Sequence, residues 1–307
     1  MPRTVSIAGT GSIGVAFAVL FAKAGFSVRM WDAFPGAFDR ARTDLRSRLE
    51  LLSDAGLLSK NPAVVIDRVT FHDILLDALQ GAELVQECAP ESLDVKREIF
   101  QQLGAYSERT AVLASASSAI VSSEFATATP ARDRVLIGHP GNPPYLIPVI
   151  EVVPSSYTAT EYVDKAVEIY RSAGLKPVIV HIEIEGFLFN RLQGALLREA
   201  YCLVRDGVAT VDEVDEIVRS GLGRRWSFIG PFETADLNTR GGIASHAQKM
   251  GPAYARMGAL RSQDDAWTED LVEKVTGERR DILPLEDWDE RVRWRDAQLM
   301  KLKMLFD

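Results

Sequence analysis

Three glycines in "GTGSIG", Gly9, Gly11 and Gly14, stand where the apolar run Val5 to Ala8 gives way to apolar residues at helical spacing, Ile13 to Ala24. Gly25 stops that stretch, and a second apolar run, Ser27 to Trp31, leads into Asp32. The chemistry open to such a set is the capture of a dinucleotide. Gly9 permits the tight turn, Gly11 has no side chain to hold a pyrophosphate off the backbone, and Gly14 lets the helix pack close to the strand. Ser12 and Ile13 open that helix, whose free N–H groups and positive dipole end face the phosphates. Asp32 can accept hydrogen bonds from both ribose hydroxyls of an adenosine and repels the extra phosphate of NADP. Ala33 and Phe34 follow, with no arginine to receive that phosphate. The spacing predicts NAD, held by Gly9, Gly11, Ser12, Ile13, Gly14 and Asp32.

The elements that must position this loop repeat along the first half of the chain. Val64 to Phe71, Leu84 to Gln86, Ala111 to Ala114 and Val135 to Gly138 read as strands, and Pro35 to Leu58 as a charged, solvated helix or helical pair. Strands alternating with helices predict a doubly wound, parallel, Rossmann-type α/β sheet. Ligands of such sheets bind at the carboxyl ends of strands, which directs attention to Glu87–Glu91, Ser115–Ser118 and His139–Pro144. From Gly186 the period becomes helical, through Phe187, Asn190, Arg191, Gly194 and Leu197 to about Asp206. Thr210 is an N-cap followed by acids. Further helices are expected over Ile243–Tyr254, Trp267–Val275 and Leu285–Leu305. The expected domains are a nucleotide-binding domain over 1–185 and an all-α domain over 186–307.

Composition narrows the function classes. Over 307 residues, 47% are hydrophobic, 25% are charged and the net charge is -8, which suits a globular protein and argues against nucleic-acid binding. No apolar run is long enough to span a membrane. "MPRTVSIAGTG" enters the first strand without a secretory apolar core, and two cysteines, Cys88 and Cys202, argue for a reducing compartment, so a cytoplasmic location is expected. The four histidines show no metal-ligand spacing, and no metal is expected.

"GTGSIG", "QECAPESLDVKREIF", "LASASS", "GHPGNPPYLIPVIEVVP" and "GFLFNRLQGALLREAYCLV", in that order, resemble the 3-hydroxyacyl-CoA dehydrogenase superfamily up to about Asn238. "HPGNPPYLIP" and "GLGRRWSFIGPFETADLN" are most similar to its λ-crystallin branch, whose enzyme, L-gulonate 3-dehydrogenase, oxidises a free sugar acid at its 3-hydroxyl. The resemblance implies a catalytic set of Ser118, His139 as general base, Glu151 orienting that histidine, and Asn190. It also implies cofactor contacts at Glu91 and Lys96 beside Asp32, and a homodimer through the C-terminal domain. One departure stands out: where the acyl-CoA enzymes usually carry Asn-Thr before the serine, this chain has Ala116 and Ser117.

These residue types suit the implied reaction. An imidazole titrates near neutrality, so it can take and return a hydroxyl proton. A carboxylate inside the apolar run "PVIEVV" is costly unless paired, and pairing with His139 would fix the imidazole tautomer. Ser118 and Asn190 can donate to the substrate oxygen. Arg225, in a loop between helices, aligns with an arginine of the λ-crystallin branch and is expected to bind the free carboxylate of a small 3-hydroxy acid. Two alternatives stay open: a dehydrogenase for a short-chain 3-hydroxyacyl-CoA, and a non-catalytic, crystallin-like NAD-binding protein.

Overall fold

In a computed structural model of the chain, residues 2–227, 229–238, 242–261, 270, 281 and 284–306 are described. The first strand, β1 (Thr4–Ala8), feeds helix α1 (Ser12–Ala24) through the glycine loop, and Gly25 ends the helix at a left-handed φ of 100°. Glycine takes that conformation without the Cβ penalty other residues meet. The chain continues through β2 (Ser27–Trp31), α2 (Phe38–Asp54), α3 (Pro62–Ile66), β3 (Val69–His72), α4 (Leu75–Leu79), β4 (Leu84–Glu87) and α5 (Leu93–Tyr106). Then come β5 (Val112–Ser115), α6 (Ser123–Ala126), β6 (Val135–Pro140), β7 (Val149–Pro154), α7 (Thr160–Ser172) and β8 (Lys176–Ile179).

The eight strands form one sheet in the order β3-β2-β1-β4-β5-β6-β7-β8. Every pair is parallel except β6 with β7. The fold is the expected Rossmann type, with one antiparallel neighbour as a correction. Residues 141–148 connect β6 to β7 and are too few for the helical crossover a parallel neighbour needs. A second correction concerns Val64 to Ile66, which are helical rather than extended. Asn61 caps that turn by accepting from the Ala63 amide, and Pro62 occupies its first position.

Alternate residues of the strands supply two apolar layers. Val112, Ala114, Leu136 and Val152 pack with Phe17 and Phe21 of α1 and Tyr170 of α7. Leu113, Val135, Ile137 and Val153 pack with Phe100 of α5 and Phe125 of α6 on the other side. The Phe100 and Phe125 rings lie 4.6 Å apart, both fully buried. Each such side chain contributes about 1.5–3 kcal/mol on burial.

Beyond the sheet the described residues include the helices α8 (Phe189–Arg205), α9 (Val211–Glu216), Gly223–Trp226, Pro231–Asn238, Gly242–Leu260 and Trp288–Phe306. Thr210 and Glu213 form a reciprocal capping box at the start of α9. The expected helix Trp267–Val275 lies outside the described residues except for Asp270. Two compact units emerge, one of Met1–Arg191 with Val292–Asp307, the other of Leu192–Arg291. The first unit takes in Val292–Asp307 as well, and Met300 there is part of the core. Among the described residues no helix is long and apolar enough to cross a membrane.

Candidate active site

The glycine loop meets three different demands. Gly9 has φ 115°, and a Cβ there would lie 2.6 Å from the Cys88 carbonyl oxygen. A Cβ on Gly14 would overlap the Gly9 carbonyl. Gly11 differs from both: its φ of -68° suits any residue, and beyond its own chain neighbours nothing lies within 4 Å of where its Cβ would be. Nothing in the polypeptide itself requires glycine at position 11. The space it leaves is room for a ligand at the start of α1, whose N-terminus has no side-chain cap. Asp32 is fixed beside the loop. Its Oδ2 accepts from the Thr10 amide at 2.7 Å and hydroxyl at 2.8 Å, and its Oδ1 accepts from the Phe34 amide at 3.0 Å. A cavity of about 940 Å³ runs past Gly9, Gly11, Asp32, Phe34 and Ala89. Arg40, on the first turn of α2, also lines it.

The second feature is built where β6 and β7 pair. Their register sets His139 directly opposite Glu151. His139 Nδ1 lies 2.8 Å from Glu151 Oε2, and the residues are 8% and 3% exposed. With the carboxylate ionised, Nδ1 carries the proton and donates it, which leaves Nε2 bare. Glu151 Oε1 accepts from the Leu188 amide at 2.6 Å and the Phe189 amide at 3.0 Å. Phe187, fully buried with φ 49°, makes the bend that delivers those amides. A non-glycine residue in that region is uncommon and is held by its surroundings. The Phe187 and Phe189 ring centroids lie 5.6 and 6.3 Å from that of the imidazole, so two apolar rings pack beside it.

The third feature is the turn after β5. Glu91 Oε1 accepts from the Ser117 hydroxyl at 2.6 Å and from the amides of Ser118, Ala119 and Ile120 at 3.1, 3.1 and 3.3 Å. Burial pushes the Glu91 carboxyl up. The Ser117 hydroxyl, the Lys96 ammonium and the amides outweigh that, and the net direction is down. Lys96, 1% exposed, sits between Glu87 Oε2 at 3.1 Å and Glu91 Oε2 at 3.4 Å. Glu87 is itself fully buried and also accepts from the Ala89 amide and the Ser115 hydroxyl. The Asn190 amide nitrogen donates to the Ser118 carbonyl at 2.9 Å, tying the start of α8 to this turn.

Ser118, His139 and Glu91 line one cavity of about 330 Å³ with Ile13 and Asn142. Cys88 and Ala89 border both this cavity and the larger one at the glycine loop, so the two adjoin. Glu151 stands behind His139, and Asn190 touches Ser118. Lys96 faces the two glutamates. Arg225 belongs to the other unit and lies in the helical turn Gly223–Trp226 instead of a loop, its Nη1 donating to Asn238 Oδ1 at 3.4 Å. Glu87, Ser115 and Ser117 lie in the strand-end segments that the sequence singles out, but no individual role is expected for them there. Their signal was a carboxylate ending the buried run "LVQE" and a lysine nine positions on.

A Rossmann sheet with a ligand-shaped glycine loop, a fixed Asp32 and a carboxylate-paired imidazole in an adjoining cavity defines an NAD-dependent oxidoreductase. The model for the NAD-binding domain of 3-hydroxyacyl-CoA dehydrogenase matches residues 4–183, and that for its C-terminal domain matches residues 186–280. The chain belongs to the 3-hydroxyacyl-CoA dehydrogenase family. It is 38% identical to a 3-hydroxyacyl-CoA dehydrogenase of Gibberella moniliformis over 98% of this chain and 94% of that protein. It is 35% identical to a lambda-crystallin homolog of Bos taurus over 99% and 96% of the two chains. Among solved structures it resembles the NAD+-dependent 5-formyl-3-hydroxy-2-methylpyridine 4-carboxylic acid 5-dehydrogenase, at TM-score 0.84 and 27% identity over 99% and 98% of the chains.

Proposed function

We propose that the protein oxidises the 3-hydroxyl of a small free 3-hydroxy acid, of the L-gulonate kind, to the 3-keto acid. The observation that carries this reading is the 2.8 Å contact between His139 Nδ1 and Glu151, which leaves Nε2 without a protein partner among the described residues. His139 is the general base: Nε2 takes the hydroxyl proton, and Glu151 stabilises the imidazolium that forms. The Ser118 hydroxyl and the second Asn190 amide hydrogen donate to the substrate oxygen as it gains charge. NAD, bound along Gly9–Gly14 and Asp32, supplies the hydride acceptor. Glu91 holds the turn that carries Ser118.

Arg225 is proposed to bind the substrate carboxylate through its guanidinium fork. The free-acid reading is supported by the likeness to a dehydrogenase named for a pyridine carboxylic acid. The name of the Gibberella relative supports the alternative, a 3-hydroxyacyl-CoA ester. Assays with L-gulonate, L-carnitine, 3-hydroxybutyrate and 3-hydroxybutyryl-CoA decide between them, and turnover of the CoA ester alone rejects the free acid. A purely crystallin-like role is rejected by any NAD-linked turnover in the same panel. We further propose a homodimer through the helical C-terminal part, where Leu192 and Ile217 are each 67% exposed; light scattering that gives a monomer mass rejects it. Neither Cys88 nor Cys202 is in a disulfide, which fits a reducing compartment such as the cytoplasm.

A further inference from the structure

Gly138, the residue before His139, has an unusual pair of neighbours. Backbone groups along a strand alternate between its two flanking strands. The Gly141 amide donates to Val149 on β7, so the alternation turns His139 toward β7 and Gly138 away from it, toward β5. But β5 stops pairing with β6 at Ser115 opposite Ile137. The Gly138 carbonyl therefore faces a gap in the sheet, one residue below the imidazole. A side chain fills that gap. Gln86, on β4, reaches over Ala114, its small register partner on β5, and its Nε2 donates to the Gly138 carbonyl at 3.3 Å. Gln86 Oε1 in turn accepts from the Tyr170 hydroxyl of α7 at 2.6 Å. Both side chains are fully buried, and a Cβ on residue 138 would overlap the Tyr170 hydroxyl.

We propose that Gln86 and Tyr170 are positioning residues for His139. They replace the ladder bond that the end of β5 withholds, and they fix the backbone height at which the imidazole enters the cavity. Three facts converge. A glutamine amide is costly to bury without partners, and this one is satisfied at both ends. The tyrosine hydroxyl lies where any side chain larger than glycine at 138 would sit. The bonded carbonyl is covalently next to the residue bearing the base. The sheet opens into a cavity at this level; the register leaves the Gly138 amide a partner on β5, whereas its carbonyl would have none without Gln86. The inference rests on His139 being the general base.

The test is Gln86→Met, which keeps length and removes both bonds, measured beside Tyr170→Phe and His139→Ala with the best substrate of the panel above. A displacement of a reacting group by about 1 Å costs up to about 100-fold in rate. The expected result is a kcat about 10- to 100-fold lower in Gln86→Met, and a smaller loss in Tyr170→Phe. Substrate KM and the Kd for NAD, read by fluorescence titration, stay within about twofold. Wild-type kcat in folded Gln86→Met overturns the proposal, as do equal losses in kcat and NAD affinity. If Gln86→Met does not fold, Tyr170→Phe decides by the same criteria. The two claims separate cleanly: an inactive His139→Ala beside a fully active Gln86→Met rejects only the positioning role, whereas an active His139→Ala rejects the general base and the positioning role with it.

Discussion

His139 and Glu151 occupy directly opposed positions on the one antiparallel strand pair of the sheet, with Nδ1 and Oε2 2.8 Å apart. The pairing is cross-strand, so backbone hydrogen bonds set the distance, and side-chain flexibility contributes little. The second carboxylate oxygen is held by the Leu188 and Phe189 amides, so Glu151 cannot swing away.

Glu151→Gln therefore keeps an acceptor for those two amides while removing the charge that selects the imidazole tautomer. We expect a folded protein with NAD affinity near wild type and a kcat lowered at least about 100-fold, in line with the loss when a buried carboxylate behind a catalytic histidine is replaced by an amide. Steady-state kinetics with a parallel NAD titration checks this.

Gly11 and Gly14 should part company on substitution. Gly11→Ala meets nothing beyond its own chain neighbours and keeps an ordinary φ, so its apo stability changes by less than about 1 kcal/mol, while NAD binding is lost to the new methyl group. Gly14→Ala overlaps the Gly9 carbonyl and lowers the apo melting temperature itself. Calorimetry with and without NAD distinguishes the two; equal NAD affinity in Gly11→Ala and wild type would reject the assigned role of that glycine.

Glu91 gives the molecule an acid-side dependence. Its folded carboxyl lies below the ordinary 4.5, so its stabilisation is complete above that value and is lost as the pH falls through the lowered folded pKa. Glu91→Gln cannot titrate. The melting temperature of wild type should fall more steeply between about pH 5 and pH 3 than that of Glu91→Gln. Parallel curves would contradict the assignment.

Arg225→Ala is expected to raise KM for a free 3-hydroxy acid about tenfold or more, since a charged hydrogen bond is worth about 1.5–3 kcal/mol. The KM for a CoA ester should stay unchanged. An unchanged KM for the free acid removes Arg225 from the substrate site.

Much of the architecture was legible locally. The glycine loop, the flanking strands and the Gly25 stop lie within 28 residues, and each states its own period. A glutamate inside "PVIEVV" announced the need for a partner, because an apolar run cannot hide a charge. What escaped reading is non-local or ambiguous. "PAVVI" is too short for its period to tell helix from strand, and only Asn61 and Pro62 decide it. The reversal at β7 depends on the length of the 141–148 connection. The Lys96–Glu87–Ser115 cluster joins three elements, and the contact of Gln86 with Tyr170 spans 84 positions, beyond any window of local pattern.

The central claim is that the bare Nε2 of His139 removes the substrate proton. Its most direct measurement is turnover by His139→Ala alongside its Kd for NAD. The expected result is a rate lowered by at least about 1,000-fold with NAD affinity unchanged. A variant that turns over within a few-fold of wild type would contradict it.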